Sequence, residues 1–155
     1  MCLAAYILTA GLPKRKAPLS DPQETRDLMD RRRAEWDEKQ TKRAEQFEKV
    51  QTEGTLDMLR AVGRSYLRRL ALHKTPPREE DMGEVLHFWR SRRDEKPFVI
   101  QWGVDLTREP DGGSGVLLAW EQVPDDKGRR AVLMADGKTA KVVTSAEFES
   151  LPRAK

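Results

Sequence analysis

The run Val116-Leu117-Leu118-Ala119-Trp120-Glu121 is followed by Ala131-Val132-Leu133-Met134-Ala135-Asp136-Gly137 and then by Thr139-Ala140-Lys141-Val142-Val143. An Asp-Gly between two β-rich runs is the strongest short-range hairpin signal, because a two-residue turn needs positive φ at both central positions. A tight hairpin across Asp136-Gly137 is therefore predicted. Just upstream, Phe98, Ile100, Trp102 and Val104 alternate with Val99, Gln101 and Gly103, the period of a strand with one apolar face. Glu109 to Gly115 reads as a flexible Gly-rich loop. These runs give a small antiparallel sheet of about four strands. After it, Thr144 and Glu147 form a capping box that opens a short C-terminal helix carrying Phe148 and Leu151.

Everything before Pro97 has helical character. Asp21 suits an N-cap, Pro22 the first helical position, and Glu24 follows three residues on. Residues 21–53 read as one long charged helix, with Asp27–Arg31, Glu35–Lys39, Glu38–Lys42 and Glu45–Lys49 as i,i+4 pairs. Its apolar residues are few. Met29, Trp36 and Val50 share one heptad position and Phe47 takes the partner position, with Arg33, Gln40 and Arg43 interrupting. Trp36 and Phe47 are the anchors expected of such a helix. Gly54 is a natural stop, and Thr55 a natural cap for a second, amphipathic helix. In that helix Leu56, Leu59, Gly63, Tyr66, Leu67 and Leu70 line one face. Gly63 on the apolar face predicts a close backbone approach to the sheet, and Leu67 and Trp102 belong to the expected core. Pro76-Pro77 end the region, and Glu79 to Arg92 reads as a third, shorter helix. The fold class is α+β, with helices segregated from the sheet. A greasy helix face holds the meander shut.

Charged residues make up 35% of the 155-residue chain and the net charge is +3. Bases and acids nearly balance along its length, short of the concentrated basic excess of a dedicated nucleic-acid binder. Cys2 is the only cysteine, so no intrachain disulfide can form. Residues 1–20 read as an apolar and then basic arm: Cys2 to Leu12 is apolar and Pro13-Lys14-Arg15-Lys16 follows. That order reverses a secretory signal. Two readings stand: a remnant of a longer export or lipoprotein signal that starts upstream, giving possible membrane association, or an apolar arm that adds a strand or packs on the core.

Catalytic constellations are thin. His73 and His87 have no zinc-ligand spacing, and Ser65 and Ser114 lack a nucleophile-elbow context. Gly112-Gly113-Ser114-Gly115 precedes a strand, not a helix, and so lacks the amide-rich helix start of a phosphate loop. Asp105, Asp111, Asp125, Asp126 and Asp136 lie in loops and offer the oxygen ligands calcium prefers, but turn aspartates also serve the backbone. No cofactor is expected beyond that calcium alternative. Arg60, Arg64 and Arg68 form an i,i+4 stripe, with Arg69 beside it, able to meet phosphates, anionic lipid or an acidic partner. A basic face opposite an apolar one also serves simply as the solvated side of a helix. The four tryptophans, Trp36, Trp89, Trp102 and Trp120, read as core.

The segment from Leu59-Arg60-Ala61-Val62-Gly63-Arg64-Ser65-Tyr66 through Pro76-Pro77 and Glu80-Asp81-Met82 resembles small pseudopilin-like (prepilin C-terminal-domain-like) proteins of planctomycete-type bacteria. The likeness continues through Phe98 to Val104, Val116 to Glu121, Val132 to Gly137, and Thr144 to Phe148. It covers roughly residues 56–151, within a pilin-like α+β domain placed at 55–151. The resemblance implies a helix packed on a small antiparallel sheet, in a secreted or membrane-tethered protein without known enzymatic activity. Where many relatives carry a His ahead of the closing Asp-Gly, this chain has Asp126, and a charged helix stands where pilins have an apolar one. The expectation is a non-enzymatic structural or interaction protein of the cell envelope, or secreted, with a protein partner or self-assembly. Its candidate contacts are Arg60, Arg64, Arg68, Trp36 and Phe47. The alternative is a cytoplasmic module whose basic helix face meets nucleic acid or an acidic protein. An enzyme would need a ligand in a concave site beside Glu121 or Asp136.

Overall fold

The computed structural model describes residues 21–108 and 110–154. The arm at residues 1–20, with Cys2 and the signal-remnant reading, lies outside the described residues, as does Glu109. The chain divides into two units, Met1–Lys42 and Arg43–Lys155. The elements are α1 (Pro22–His73), β1 (Val99–Ile100), β2 (Leu117–Trp120), β3 (Arg129–Met134), β4 (Ala140–Thr144) and α2 (Ser145–Ser150), with 3-10 turns at Glu79–Phe88 and Pro110–Gly113. The fold is α+β. No described helix is long and apolar enough to cross a membrane.

In the first unit, Asp21 caps α1 as expected, its carboxylate accepting the Gln23 N–H at 2.9 Å. Leu28, Met29 and Trp36 are exposed. Trp36 is thus no core residue. Of the four anticipated i,i+4 pairs, Glu38–Lys42 closes at 2.6 Å, whereas Lys49 turns toward Glu53 in the second unit.

The predicted break at Gly54 does not occur, and α1 runs through it. Thr55 shows why. Its buried hydroxyl donates back to the Gln51 carbonyl at 2.9 Å instead of capping a new helix, and accepts the Arg92 N–H at 2.9 Å. Gly54 leaves room for the Arg92 side chain, which would lie 3.2 Å from a Cβ there. Glycine at this point serves close approach, not termination.

Beyond Gly54 the apolar face is as read. Leu59, Val62, Tyr66 and Leu70 are buried at helical spacing, while Leu56 and Leu67 are half-buried on its flanks. Lys74, at φ 56°, closes the helix with its N–H on the Leu70 carbonyl. The third helix predicted over Glu79–Arg92 is instead a kinked 3-10 segment ending at Phe88. Gly83 breaks it at φ 54° and ψ −137°, so Met82 reaches the core while Val85 and Phe88 stay exposed.

The sheet is a meander in the order β1-β2-β3-β4, every neighbouring pair antiparallel. The strand predicted from Phe98 to Val104 is shorter than expected: only Val99–Ile100 pair, with Trp120 and Ala119. Past that point the Gln101 N–H still reaches the Leu118 carbonyl and the Gly103 N–H the Pro77 carbonyl, and Tyr66 takes the polar groups of Val104. Its hydroxyl accepts the Val104 N–H at 2.8 Å and donates to the Val104 carbonyl at 3.0 Å. Trp102 is only half-buried, stacked 6.1 Å from Tyr66 and 6.5 Å from Trp89.

The hairpin exists, but its turn is wider than a two-residue one. Leu133 pairs with Ala140, the Met134 N–H donates to the Thr139 carbonyl, and the Gly137 N–H donates to the Met134 carbonyl. Gly137 has φ 68°, whereas Asp136 is outside the positive-φ region. The Asp136 carboxylate accepts the N–H groups of Lys138 and Thr139, each at 2.8 Å, and so satisfies amides that a tighter turn would pair across strands. Gly63 meets this turn directly: a Cβ at Gly63 would lie 2.1 Å from the Gly137 carbonyl oxygen.

One face of the sheet holds Ala131, Leu133 and Ala135 against α1. The alternate residues Val132, Met134 and Val143 join Leu117 and Trp120 in a second cluster beneath α2. A register shift between Leu117 and Ala119 lets Leu118 and Ala119 both join the first cluster. A single greasy helix therefore does not close the sheet alone. Phe148 of α2 meets Trp120 edge-on at 5.8 Å, and Arg153 lies over both rings at 4.9 and 4.3 Å. The capping box of α2 forms as expected, Thr144 and Glu147 bonding reciprocally.

Tyr66 carries a measurable consequence. Its phenol is pushed up to about 12 from 10.0, first by burial, with the Asp105 charge adding and the Val104 hydrogen bond opposing. The folded state holds this proton more tightly than the unfolded chain. Its contribution is complete below pH 10.0 and fades as pH rises toward about 12. Tyr66→Phe leaves both Val104 backbone groups unpartnered and is expected to cost about 1–3 kcal/mol, read as a lowered urea midpoint. The same variant is expected to flatten the alkaline limb of a stability–pH curve.

Candidate functional site

Within the second unit a cleft of about 400 Å³ lies between α1 and the turn joining β2 to β3. Its rear wall is a polar network running from the sheet to the helix. Glu121, which ends the apolar run of β2, is buried at 2% exposure. One of its oxygens accepts the Ser91 hydroxyl at 2.6 Å. The other accepts an Arg93 guanidinium N–H at 2.9 Å and the Ala131 N–H at 2.7 Å. Arg93 also pairs with Asp125, whose carboxylate takes the Lys127 and Arg129 N–H groups and the Arg129 guanidinium. Arg129 and Lys127 both reach Glu48 on α1. Thr55 and Ser91 hydroxyls lie 3.4 Å apart, tying the helix to the same wall.

These pairings set the charge states. Glu48 is lowered from the usual carboxylate range, first by the Lys127 hydrogen bond and then by that of Arg129. Burial alone would raise Asp125, but hydrogen bonds from Arg129 and the charges of Arg93 and Arg129 outweigh it and hold it low. Arg129 is correspondingly raised, chiefly by Asp125 and then by Glu48. Carboxylates with depressed folded values contribute stability above their unfolded values of 4.5 for Glu48 and 3.8 for Asp125, and lose it as pH falls through the folded ones. Thermal midpoints are therefore expected to fall steadily from about pH 5 downward. Glu48→Gln should make that fall shallower while lowering the midpoint at pH 7 slightly.

Chemically, this wall is a fastener. Both Glu121 oxygens accept hydrogen bonds from within the wall. Ser91 has no histidine beside it; its hydroxyl donates to Glu121 and accepts the Arg93 N–H at 3.0 Å. The concave site anticipated beside Glu121 thus exists, with its carboxylate engaged internally. The other loop acids do not converge. Asp105 binds Thr107 and Arg108, Asp136 binds its own turn, and Asp125 belongs to the network. Among the described residues no group of three or more His, Cys, Asp or Glu is placed to hold a metal ion.

The residues singled out from sequence are dispersed. Phe47 lines the cleft mouth, 65% exposed, opposite Val123 and Pro124. Trp36 is exposed in the first unit. Arg60 pairs with Asp57 at 2.7 Å. Arg64 and Arg68 are exposed and, among the described residues, have no ion-pair partner. Sequence reading missed Ser91, Arg93 and Glu48 as one constellation. Glu121 offered the only hint, an acid in phase with a wholly apolar strand run, which calls for a buried partner.

No family model, curated protein or solved structure matches this chain.

Proposed function

We propose that the protein is a non-enzymatic structural or interaction protein, pseudopilin-like in plan and associated with the cell envelope, that works by presenting α1 to a protein partner or to further copies of itself. The observation that carries this reading is the exposure of large apolar side chains on a helix. Trp36 in the first unit is 61% exposed, and Phe47 in the second is 65% exposed beside Val50. Large aromatic side chains are the usual anchors of protein interfaces. A helix packed on a four-stranded antiparallel meander agrees with the pilin-like plan. Assembly through an apolar helix is not part of the proposal, because α1 from Pro22 to Glu53 is mainly charged.

The test is sedimentation velocity over a wide protein concentration range, with crosslinking and fractionation of the native cells. Association that weakens in both Trp36→Ser and Phe47→Ser, with recovery in the envelope fraction, is the expected result. A species that is monomeric throughout, uncrosslinked in cells and found only in the soluble fraction would end the proposal.

A second reading rests on Arg64 and Arg68, exposed and without ion-pair partners among the described residues. It makes the protein a cytoplasmic module that binds nucleic acid or an acidic protein through this face. Retention on DNA that falls steeply with salt, and is lost in Arg64→Gln/Arg68→Gln, would favour it.

A further inference from the structure

A second groove, of about 350 Å³, lies between the last turns of α1 and the Glu79–Phe88 segment. Its size is at the lower end of the roughly 300–1,000 Å³ typical of small-molecule sites. The polar side is formed by Arg68, Arg69, His73 and Ser65, and no carboxylate lines it. The apolar lining is Met82 and Val85 of the facing segment with Leu72 of α1, the last two being exposed. The contrast with the Glu121 cleft is chemical. There, acids and bases are interleaved and neutralise one another. Here the charge is of one sign.

The arginines of this groove are also unlike most others in the second unit. Arg60, Arg93, Arg108 and Arg129 are paired with carboxylates, and Arg90, Arg130 and Arg153 donate to backbone carbonyls. Arg68 and Arg69 have no such acceptor among the described residues, although Arg69 is half-buried. The half-buried Ser65 hydroxyl likewise has none. Bases near a helix C-terminus favour the helix dipole, but that effect falls off within the last turn. It accounts for His73; Arg68 and Arg69 lie one turn earlier.

We propose that this groove binds a small amphiphilic anion, a carboxylate or phosphate monoester joined to a short aliphatic chain. The guanidiniums of Arg68 and Arg69 and the Ser65 hydroxyl take the anionic head, for which forked N–H donors are well matched. Met82, Val85 and Leu72 cover the chain. Two sources share this chemistry, a free amphiphile and the headgroup region of an anionic lipid. The site is independent of whether α1 docks a protein through Trp36 or Phe47.

The test uses the full chain and decyl phosphate below its micelle concentration, followed by titration calorimetry. Saturable one-to-one binding is expected, about tenfold or more tighter than inorganic phosphate, and weakened about tenfold or more in Arg68→Gln/Arg69→Gln. Both substituted side chains lack internal partners, so the urea midpoint should hold and separate lost binding from lost folding. Val85→Asn, which removes apolar cover without adding charge, should weaken decyl phosphate but leave inorganic phosphate unchanged. Binding that is equal in the double arginine variant, or equal for decyl trimethylammonium, overturns the proposal, as does no binding at all. Vesicles of equal parts phosphatidylcholine and phosphatidylglycerol then distinguish the sources. Co-sedimentation that depends on Arg68 and Arg69 assigns the lipid, and none alongside soluble binding assigns the free amphiphile. Co-sedimentation indifferent to both arginines counts against the site.

Discussion

Gly63→Val is expected to lower stability by about 3 kcal/mol or more, with Gly63→Ala close behind. In most exposed helices a Gly→Ala change gains up to about 1 kcal/mol through helix propensity. Here the sign reverses. A Cβ at Gly63 would sit 2.1 Å from the Gly137 carbonyl oxygen and 2.7 Å from its carbon. Those are backbone atoms, so no rotamer change relieves the clash; either α1 or the β3–β4 turn must move. The turn is itself constrained, since Gly137 holds φ 68° and a Cβ there would meet the Leu67 side chain at 2.7 Å. Two glycines, one on each element, therefore set the distance between helix and sheet. Gly103→Ala is the informative control: φ is 76° but the space around it is open, so only the conformational strain of about 1–2 kcal/mol remains. Urea denaturation with unchanged slope should rank Gly63→Val as the most damaging and Gly103→Ala as the mildest. A Gly63→Ala midpoint at or above that of the parent protein would show that the helix and the turn do not touch in solution.

That contact was legible in the sequence, because a glycine on an otherwise apolar helix face has few explanations besides close approach. The same logic failed at Gly54. The residue was read as punctuation, yet there too it makes room for a neighbour, the Arg92 side chain, and the helix continues. Nothing local distinguishes the two cases, since what decides is a segment nearly forty residues away. Periodicity located the meander and the buried face of Leu59, Tyr66 and Leu70 for a related reason: burial repeats with the geometry of the element that carries it. It misjudged Glu79–Arg92 because Gly83, with a positive φ, lets Met82 turn inward without a regular helix. The Glu121 network was invisible because its members come from segments far apart in sequence, Glu48 and Thr55 on α1, Ser91 and Arg93, and Glu121 to Arg129, whose polar residues would pass for surface. The arginine stripe was read as one feature and proves to be two. Arg60 is held by Asp57, whereas Arg68 turns toward a groove whose other wall comes from a segment the helix pattern cannot foresee.

Glu121→Ala is the second large effect, expected at about 3–5 kcal/mol. The side chain is 2% exposed and gathers three donors, the Ser91 hydroxyl, the Arg93 guanidinium and the Ala131 N–H. Removing it leaves a backbone amide and a nearly buried guanidinium facing a cavity, and the penalty is that of stranded polar groups more than of a lost attraction. Two further variants separate these contributions. Glu121→Gln keeps the shape and one carbonyl acceptor but presents an NH2 to at least one donor, so an intermediate loss of about 1–3 kcal/mol is expected. Arg93→Met removes the guanidinium from both Glu121 and Asp125 and should be damaging alone. Combined with Glu121→Gln it should cost less than the sum, since each substitution removes the group the other strands. A coupling of about 0.5–3 kcal/mol is expected from the cycle. Strict additivity, or a Glu121→Ala protein as stable as its parent, would mean that the wall is not closed in solution.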